Sequence, residues 1–217
     1  MHPIRQHIIQ SLILKSRLHF AELKPPETES NHFIYYLKQL TKEGLVTKDG
    51  ECYCLSDAGK QYASIISLET LTPRLQPKIM TAIVVFKDNQ VLLHIRKREP
   101  YFNKVTLVNG KLHYGEAVQV AAERELKEKT GLKADLTHIG MVYLNTLENG
   151  KSVNHNLSHI FMGKNPQGEL LKENSVSQPI WVNVAKVDKL DLLEGTKEIL
   201  ACIHEPPFFF KEFDFEI

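Results

Sequence analysis

Two glutamates and a lysine lie close together in a segment whose pattern predicts a helix. At about 100° of rotation per residue, Glu128 lies roughly 60° to one side of Glu125, and Lys129 lies roughly 40° to the other. The three side chains therefore form one charged cluster on the helix surface. The simplest interpretation is a solvated helix face, with Glu125 and Lys129 as an ordinary ion pair at positions i and i+4. The surrounding residues favour a functional interpretation instead.

The cluster belongs to a longer pattern of fixed spacing. The chain reads Gly110, five residues, Glu116, seven residues, and then Arg124-Glu125-Leu126-Lys127-Glu128-Lys129-Thr130-Gly131-Leu132. This resembles the Nudix box, in which a glycine, five residues, a glutamate and seven residues precede R-E-hydrophobic-x-E-E-x-G-hydrophobic. A chance match across so many fixed positions is improbable, and the resemblance covers about residues 78–204. The matching positions are Gly110, Glu116, Arg124, Glu125, Leu126, Glu128, Gly131 and Leu132.

The resemblance implies both an activity and a cofactor. Carboxylates of this cluster hold Mg²⁺ or Mn²⁺ in the family, and hydrolysis splits a nucleoside diphosphate linked to another group. By resemblance, Glu125 and Glu128 are metal ligands, Arg124 orients an acidic partner, and Glu116 is an accessory acid. Gly110, Lys111 and Arg96 are the candidate substrate-binding residues, although Arg96 could also belong to a solvated rim.

The sequence departs from the family pattern at one position that matters for the chemistry, because Lys129 stands where the second glutamate of the E-E pair is expected. A milder departure is Asn109, where many relatives have a glycine before Gly110. At ~4 Å and an effective dielectric of ~20, each unit-charge interaction is worth roughly 4 kcal/mol before relaxation. We therefore expect a divalent cation to bind less tightly. Lys129 could turn toward Glu125 or toward a substrate phosphate, although an ammonium is a poor copy of a metal ion. The site is predicted either to hydrolyse slowly or to bind its ligand without cleaving it.

The elements that must position this box are mainly strands. Strands outnumber helices and the helices are separated by hairpins, which predicts an α+β class. The resemblance implies, more specifically, a Nudix-like α/β/α sandwich with a mixed sheet. The predicted strands are 80–86 paired with 91–95, a long hairpin of 139–147 and 152–162, and a short strand at 180–184. Helices are expected at 117–130 and 195–204. A tight turn is expected at Asn109-Gly110. The phenylalanine-rich tail alternates with acids as an edge strand would. It is expected to pack on its own domain, and the alternative is a homodimer contact.

Residues 1–70 follow a different pattern, with three helices, a hairpin and a closing helix. This order and the run 37–60 resemble a winged helix-turn-helix domain of bacterial and archaeal regulators. Residues 71–77 are predicted to be a linker, and residues 78–217 the Nudix-like domain. The third helix would enter the major groove of double-stranded DNA. Its polar stripe is the candidate DNA contact, against the alternative of a solvated face: Asn31, Tyr35, Lys38 and Lys42.

Composition narrows the function classes. The 217 residues include 27 Lys and Arg against 26 Asp and Glu, and 42% are apolar. The apolar content excludes disorder throughout, and near-neutrality argues against coating nucleic acid through bulk charge. No apolar run approaches the ~18 residues of a membrane span, and three cysteines fit a reducing cytoplasm. Three functions are left open. The first is a Nudix-type pyrophosphohydrolase, and the second is a nucleotide-sensing transcriptional regulator whose winged helix binds DNA. The third is a structural or protein-binding module with an inactive site.

Overall fold

The computed structural model describes residues 2–217, and the chain divides into two compact units, one ending at Leu75 and the other running from Gln76 to Ile217. The N-terminal unit combines four helices with a three-stranded antiparallel sheet of order β1-β3-β2. Its elements are α1 (Pro3–Leu14), β1 (Leu18–His19), α2 (Phe20–Leu23), α3 (Ser30–Lys42), β2 (Val46–Asp49), β3 (Cys52–Leu55) and α4 (Asp57–Ile65).

Local sequence explains these elements. Helix α3 buries Phe33, Leu37 and Leu40, which recur at helical spacing and enter the core of this unit. The hydroxyl of Ser56 caps α4 by accepting a hydrogen bond from the backbone of Gly59 at 3.0 Å. The order of helices and hairpin agrees with the sequence-based expectation.

The C-terminal unit is built on a seven-stranded mixed sheet of order β10-β7-β8-β4-β6-β5-β9. Strands β4 and β8 are parallel, as are β7 and β10, and the remaining pairs are antiparallel. Its elements are β4 (Lys78–Lys87), β5 (Gln90–Arg96), β6 (Val105–Lys111), α5 (Val118–Thr130), β7 (Lys133–Glu148), β8 (Lys151–Gln167), β9 (Ser177–Asn183), a 3₁₀ helix (Val184–Lys189), α6 (Thr196–Cys202) and β10 (Phe209–Glu216).

Both faces of this sheet are covered. Successive residues of a strand point to opposite faces, so Ala82 and Val84 of β4 enter the cluster that contains α6, whereas Ile83 and Val85 enter the cluster that contains α5. The arrangement is therefore a sheet between two helices. The mixed α+β fold expected from the sequence is confirmed.

One local prediction is wrong, and another holds only in part. Asn109-Gly110 is not a turn, because both residues lie inside β6 and pair with β4 at Ala82 and Thr81. The predicted partnership of 80–86 with 91–95 is limited to two residue pairs next to the turn between β4 and β5. The reason is that β6 lies between the two strands, so β5 pairs instead with β6 and along seven positions with β9.

The C-terminal tail packs on its own unit. Strand β10 pairs in parallel with β7, and Phe213 and Phe215 pack against the cluster that contains α6. The expectation of an edge strand is confirmed. Across residues 2–217, none of the helices is long and apolar enough to cross a membrane.

Candidate functional site

Helix α5 carries the charged cluster and lies with one side on the sheet. Ala121, Ala122 and Leu126 are buried, and the helix ends at Gly131, whose φ of +78° is the left-handed conformation that favours glycine. The helix contacts β6 in particular. Two charged residues of α5, Glu125 and Lys129, are therefore buried instead of exposed to solvent.

The carboxylate of Glu125 is held between two cations. Its Oε1 accepts a hydrogen bond from Nη1 of Arg124 at 2.7 Å, and its Oε2 lies 3.0 Å from Nζ of Lys129. The residue is only 7% exposed and lies directly on the backbone of β6. A Cβ at Gly110 would come within 1.8 Å of the carboxylate carbon, so this position needs glycine. Gly110 is thus explained by close approach to Glu125, and not by a turn.

Lys129 is also buried, at 8% exposure. Its ammonium donates a hydrogen bond to the backbone carbonyl of Asn109 and forms the ion pair with Glu125. Burial lowers the pKa of Lys129, with Arg98 and Arg96 acting in the same direction, while the Glu125 carboxylate opposes them. Lys129 thus forms part of the site's interior.

Arg124 ties the loop before the helix to the helix itself. Its Nε and Nη2 donate to the two oxygens of Glu116 at 2.7 and 2.8 Å, and Nη2 also donates to the carbonyl of Lys111 at 3.2 Å. Glu116 further accepts the backbone N–H of His113 at 2.9 Å. The Arg124 hydrogen bonds, followed by the His113 N–H, lower the pKa of Glu116 to about 2. Glu128 stands apart, 3.5 Å from Arg124 with a 61% exposed side chain.

A histidine also lies near the end of α5. His94 is buried in β5, and its Nδ1 lies 3.0 Å from the hydroxyl of Ser177, which also donates to the carbonyl of Lys129 at 3.3 Å. Burial, followed by the positive charges of Lys129 and Arg96, lowers the pKa of His94 to about 3. The imidazole is therefore neutral at physiological pH.

The residues present do not fit a divalent cation in this arrangement. Within the described residues, no group of three or more His, Cys, Asp or Glu side chains is placed to hold a metal ion. Both oxygens of Glu125 are engaged by cations, and Glu128 lies on the exposed side of Arg124. The ammonium of Lys129 occupies the position at which the family pattern places a third carboxylate.

A cavity of about 280 Å³ opens beside Lys129 in the C-terminal unit. The three candidate substrate-binding residues, Gly110, Lys111 and Arg96, all line it. Arg96 is fixed by two hydrogen bonds to the carbonyl of Pro100, at 3.1 and 2.8 Å. The lining is strongly cationic, with five basic residues against two acids: Lys78, Arg96, Arg98, Lys111 and Lys129 against Glu99 and Glu194.

The cavity also has an uncharged polar floor, which the sequence reasoning missed. Ser158 donates to the Oδ1 of Asn156 at 2.9 Å, and Thr196 donates to Thr106 at 3.2 Å. The available signal was the pair Asn156 and Ser158, two polar residues at alternate positions of β8, which therefore share one face of the strand. The floor consists of buried amide and hydroxyl side chains: Thr106, Thr146, Asn156, Ser158 and Thr196.

The candidate DNA contacts of the N-terminal unit share one exposed side of α3. They lie opposite the buried Phe33, Leu37 and Leu40, and Tyr35 accepts a hydrogen bond from Gln39 at 2.8 Å. The exposed stripe consists of Asn31, Tyr35, Lys38 and Lys42.

Residues 77–201 match the family model of the NUDIX domain, and the chain therefore belongs to the Nudix family. One similar protein is the oxidized purine nucleoside triphosphate hydrolase of Danio rerio, 31% identical over 111 residues, which make up 51% of this chain and 69% of the relative. Another is the ADP-ribose pyrophosphatase of Methanocaldococcus jannaschii, 27% identical over 151 residues, covering 64% of this chain and 88% of the relative.

Solved structures show the same fold. A mutator MutT protein from Bacillus halodurans superimposes with a TM-score of 0.55 at 22% identity, covering 64% of this chain and 90% of that one. The NUDIX domain of Shewanella oneidensis NrtR, solved in complex with ADP ribose, gives 0.53 at 18% identity, covering 70% and 98%. At these identities the similarity concerns the fold alone.

Proposed function

We propose that the C-terminal unit binds a nucleotide-derived ligand, a nucleoside diphosphate joined to a second group, in the cavity beside Lys129. The observation that carries this proposal is the excess of cations in the lining, five against two acids. A diphosphate is an anion of matching charge, and a concave cationic site concentrates such anions. The names of two relatives, a nucleoside triphosphate hydrolase and an ADP-ribose pyrophosphatase, point to ligands of the same class.

The parts of the ligand have distinct contacts in this proposal. The phosphates lie against Arg96 and Lys111 and close to the backbone of Gly110, all three of which line the cavity. The polar floor receives the neutral group, because buried hydroxyl and amide side chains pair well with the hydroxyls of a sugar. A charged second group would lose its hydration there without gaining a counter-charge.

Hydrolysis of the bound ligand is the first candidate activity. The box is intact at eight positions, Glu116 and Arg124 are joined as the resemblance implies, and Glu128 is exposed to the solvent. Glu125 and Glu128 are proposed as metal ligands for Mg²⁺ or Mn²⁺, with Glu116 and Arg124 as their catalytic partners. Glu125 would first have to leave Lys129, so we expect slow turnover. When bound, a divalent ion would neutralise the phosphate oxygens and activate water.

A metal-dependent screen tests this activity. The full chain is incubated with nucleotide sugars, dinucleoside polyphosphates and nucleoside triphosphates in Mg²⁺ or Mn²⁺, and release of nucleoside monophosphate is measured. Lys129→Glu should raise the rate, whereas Lys127→Glu, with the same charge change on the same helix, should not. A folded Lys129→Glu protein without any gain would contradict the charge argument. Failure of the native chain to bind or cleave any of these compounds would contradict the proposed function.

Regulation of transcription is the second candidate, and the N-terminal unit favours it. Its helices and three-stranded sheet have the element order of a winged helix-turn-helix, with α3 as the helix that would contact double-stranded DNA. Residues 1–70 carry eight cations and eight acids, so any contact with DNA must be local. Ligand binding in the C-terminal unit would then shift the population of DNA-competent conformers.

Binding to a promoter fragment tests the regulatory candidate. Lys38→Ala combined with Lys42→Ala should weaken binding and reduce the slope of log K against log salt by about 2, since each phosphate contact contributes about 0.9. The matched control, Lys15→Ala with Lys60→Ala, removes the same charge away from α3. Absence of DNA binding by the native chain at low salt would rule the regulator out.

A homodimer stays a prediction. Phe208 and Phe210 at the start of the tail expose their rings, which leaves apolar surface for a second subunit. Sedimentation equilibrium of the native chain and of a Phe210→Ser variant measures this directly, because the variant should shift any dimer toward monomer.

A further inference from the structure

We propose that the ammonium of Lys129 takes the place of a divalent metal ion in this site, so that the cavity binds the diphosphate of its ligand without a metal. The inference rests on the proposed function, since it concerns the same cavity and the same ligand class. It concerns the one box position at which this chain departs from the family pattern.

Charge conservation is the first step. A lysine carries +1, which equals the net charge of a carboxylate together with one divalent cation. Glu116 and the cluster of Arg124, Glu125, Glu128 and Lys129 together have a net charge of −1. A glutamate at position 129 would make this −3, and one divalent ion would return it to −1. The charge beside the ligand is therefore the same in the two cases, but here it is built into the chain.

Geometry is the second step. The ammonium of Lys129 has three N–H donors, and its acceptors among the described residues are Oε2 of Glu125 and the carbonyl of Asn109. These two account for two of the three donors. Because Lys129 also lines the cavity, the third donor is available to a phosphate oxygen of the ligand. A charge-assisted hydrogen bond of this kind is among the stronger polar contacts in proteins.

Fixation of the ammonium is the third step. Arg124 holds Oε1 of Glu125 at 2.7 Å, so the carboxylate that anchors Lys129 is itself immobilised. Burial of both Glu125 and Lys129 means that the lysine is already ordered and largely desolvated before the ligand arrives. A surface lysine would lose side-chain entropy on binding, whereas this one has lost it on folding.

The alternative is that Lys129 only stabilises the helix through its ion pair with Glu125. That alternative requires neither contact with the cavity nor a cationic lining around it. Here Arg96 and Arg98 line the same cavity and act electrostatically on Lys129. The position of Lys129 among these cations, beside the backbone of Gly110, favours direct contact with the ligand.

Calorimetric titration tests the inference. The probe is the methylene analogue of ADP-ribose, which cannot be cleaved between its phosphates, and the full chain is titrated in EDTA and in Mg²⁺. The dissociation constant of the native chain should differ by less than about twofold between the two buffers. Lys129→Glu should bind about tenfold more weakly or worse in EDTA and recover in Mg²⁺, because one strong polar contact is replaced by repulsion. Lys129→Met should be weakened in both buffers, and Lys127→Glu should behave as the native chain does.

Each outcome has a distinct meaning. Binding by the native chain only in Mg²⁺ would overturn the inference and leave the proposed function intact. Lack of binding in both buffers would contradict the proposed function itself. Native-like affinity of Lys129→Glu in EDTA would also overturn the inference. The native comparison needs no variant, so the inference stays testable even where a substitution prevents folding.

Discussion

Replacing Lys129 tests the energetics of the buried pair independently of any ligand. Its ammonium lies 3.0 Å from Oε2 of Glu125, and both residues are buried. Removing one partner of a buried ion pair costs about 3–5 kcal/mol, because the other charge is left uncompensated. Arg124 still holds Oε1 of Glu125, so Lys129→Gln should lie near the lower end, about 3 kcal/mol. Lys129→Glu adds repulsion and should lie near the upper end, about 5 kcal/mol.

The assay follows from the position of the single tryptophan of the chain. Trp181 lies in β9 and packs against the cluster that contains α5, so its fluorescence reports the unfolding of the C-terminal unit. Urea titrations give the free energy of unfolding from this signal in EDTA and in Mg²⁺. If Lys129→Glu creates a metal site, Mg²⁺ at 100 times its dissociation constant should return about 2.7 kcal/mol. The native chain should gain far less from Mg²⁺, because Lys129 holds Glu125.

Lys127→Glu is the matched control. It makes the same charge change two residues earlier on α5, at an exposed position, and should cost at most about 1 kcal/mol. The reasoning would be refuted if Lys129→Glu were as stable as the native chain in EDTA. It would equally be refuted if the control lost as much stability as the Lys129 variants.

Three further predictions concern the site. Gly110→Ala places a Cβ within 1.8 Å of the Glu125 carboxylate and should displace its ion pairs with Arg124 and Lys129. Urea unfolding followed by Trp fluorescence should then show a loss of about 3 kcal/mol or more in the free energy of unfolding. An unchanged urea midpoint would refute the close approach. The pKa of Glu116 is lowered to about 2, so its pairing with Arg124 stabilises the fold fully above about pH 4.5 and less as the pH falls toward 2. The difference in unfolding free energy between the native chain and Arg124→Gln should therefore shrink between pH 4.5 and pH 2. The pKa of His94 is lowered to about 3, so the native chain should lose stability as the pH falls from about 6.5 toward 3. His94→Gln should flatten that part of the plot of unfolding free energy against pH. A variant profile parallel to the native one would count against the buried neutral imidazole.

Much of the fold could be predicted from the sequence because local signals and tertiary packing agree there. Helix α5 was expected at 117–130 and runs from Val118 to Thr130, since its apolar spacing and the stop at Gly131 both act locally. The hairpin of β7 and β8 was found from alternation around the Asn149-Gly150 turn. The winged helix-turn-helix stays a prediction that the DNA-binding experiment tests, and the domain boundaries likewise stay predictions.

Where the predictions were wrong, long-range pairing decided the outcome. Asn109-Gly110 has the composition of a turn, yet β4 pairs with this segment and extends it, and the glycine is needed for contact with Glu125 on another element. Strand β5 follows β4 in the chain but is separated from it by β6. Neither fact is encoded in the residues of the segment itself, because strand order depends on contacts between distant parts of the chain.

The sequence by itself determined the family box and its departure at Lys129. It also determined that Glu125 and Lys129 share one helix face, because helical geometry depends only on spacing. Only the tertiary structure decided that this face is buried against β6, with the ammonium held by Glu125 and by the carbonyl of Asn109. Because of this contact the Glu125–Lys129 pair is buried instead of exposed, and Lys129 lines the cavity. The polar floor was likewise decided by the fold, since it draws on β6, β7, β8 and α6, which only the sheet and its covering helix bring together.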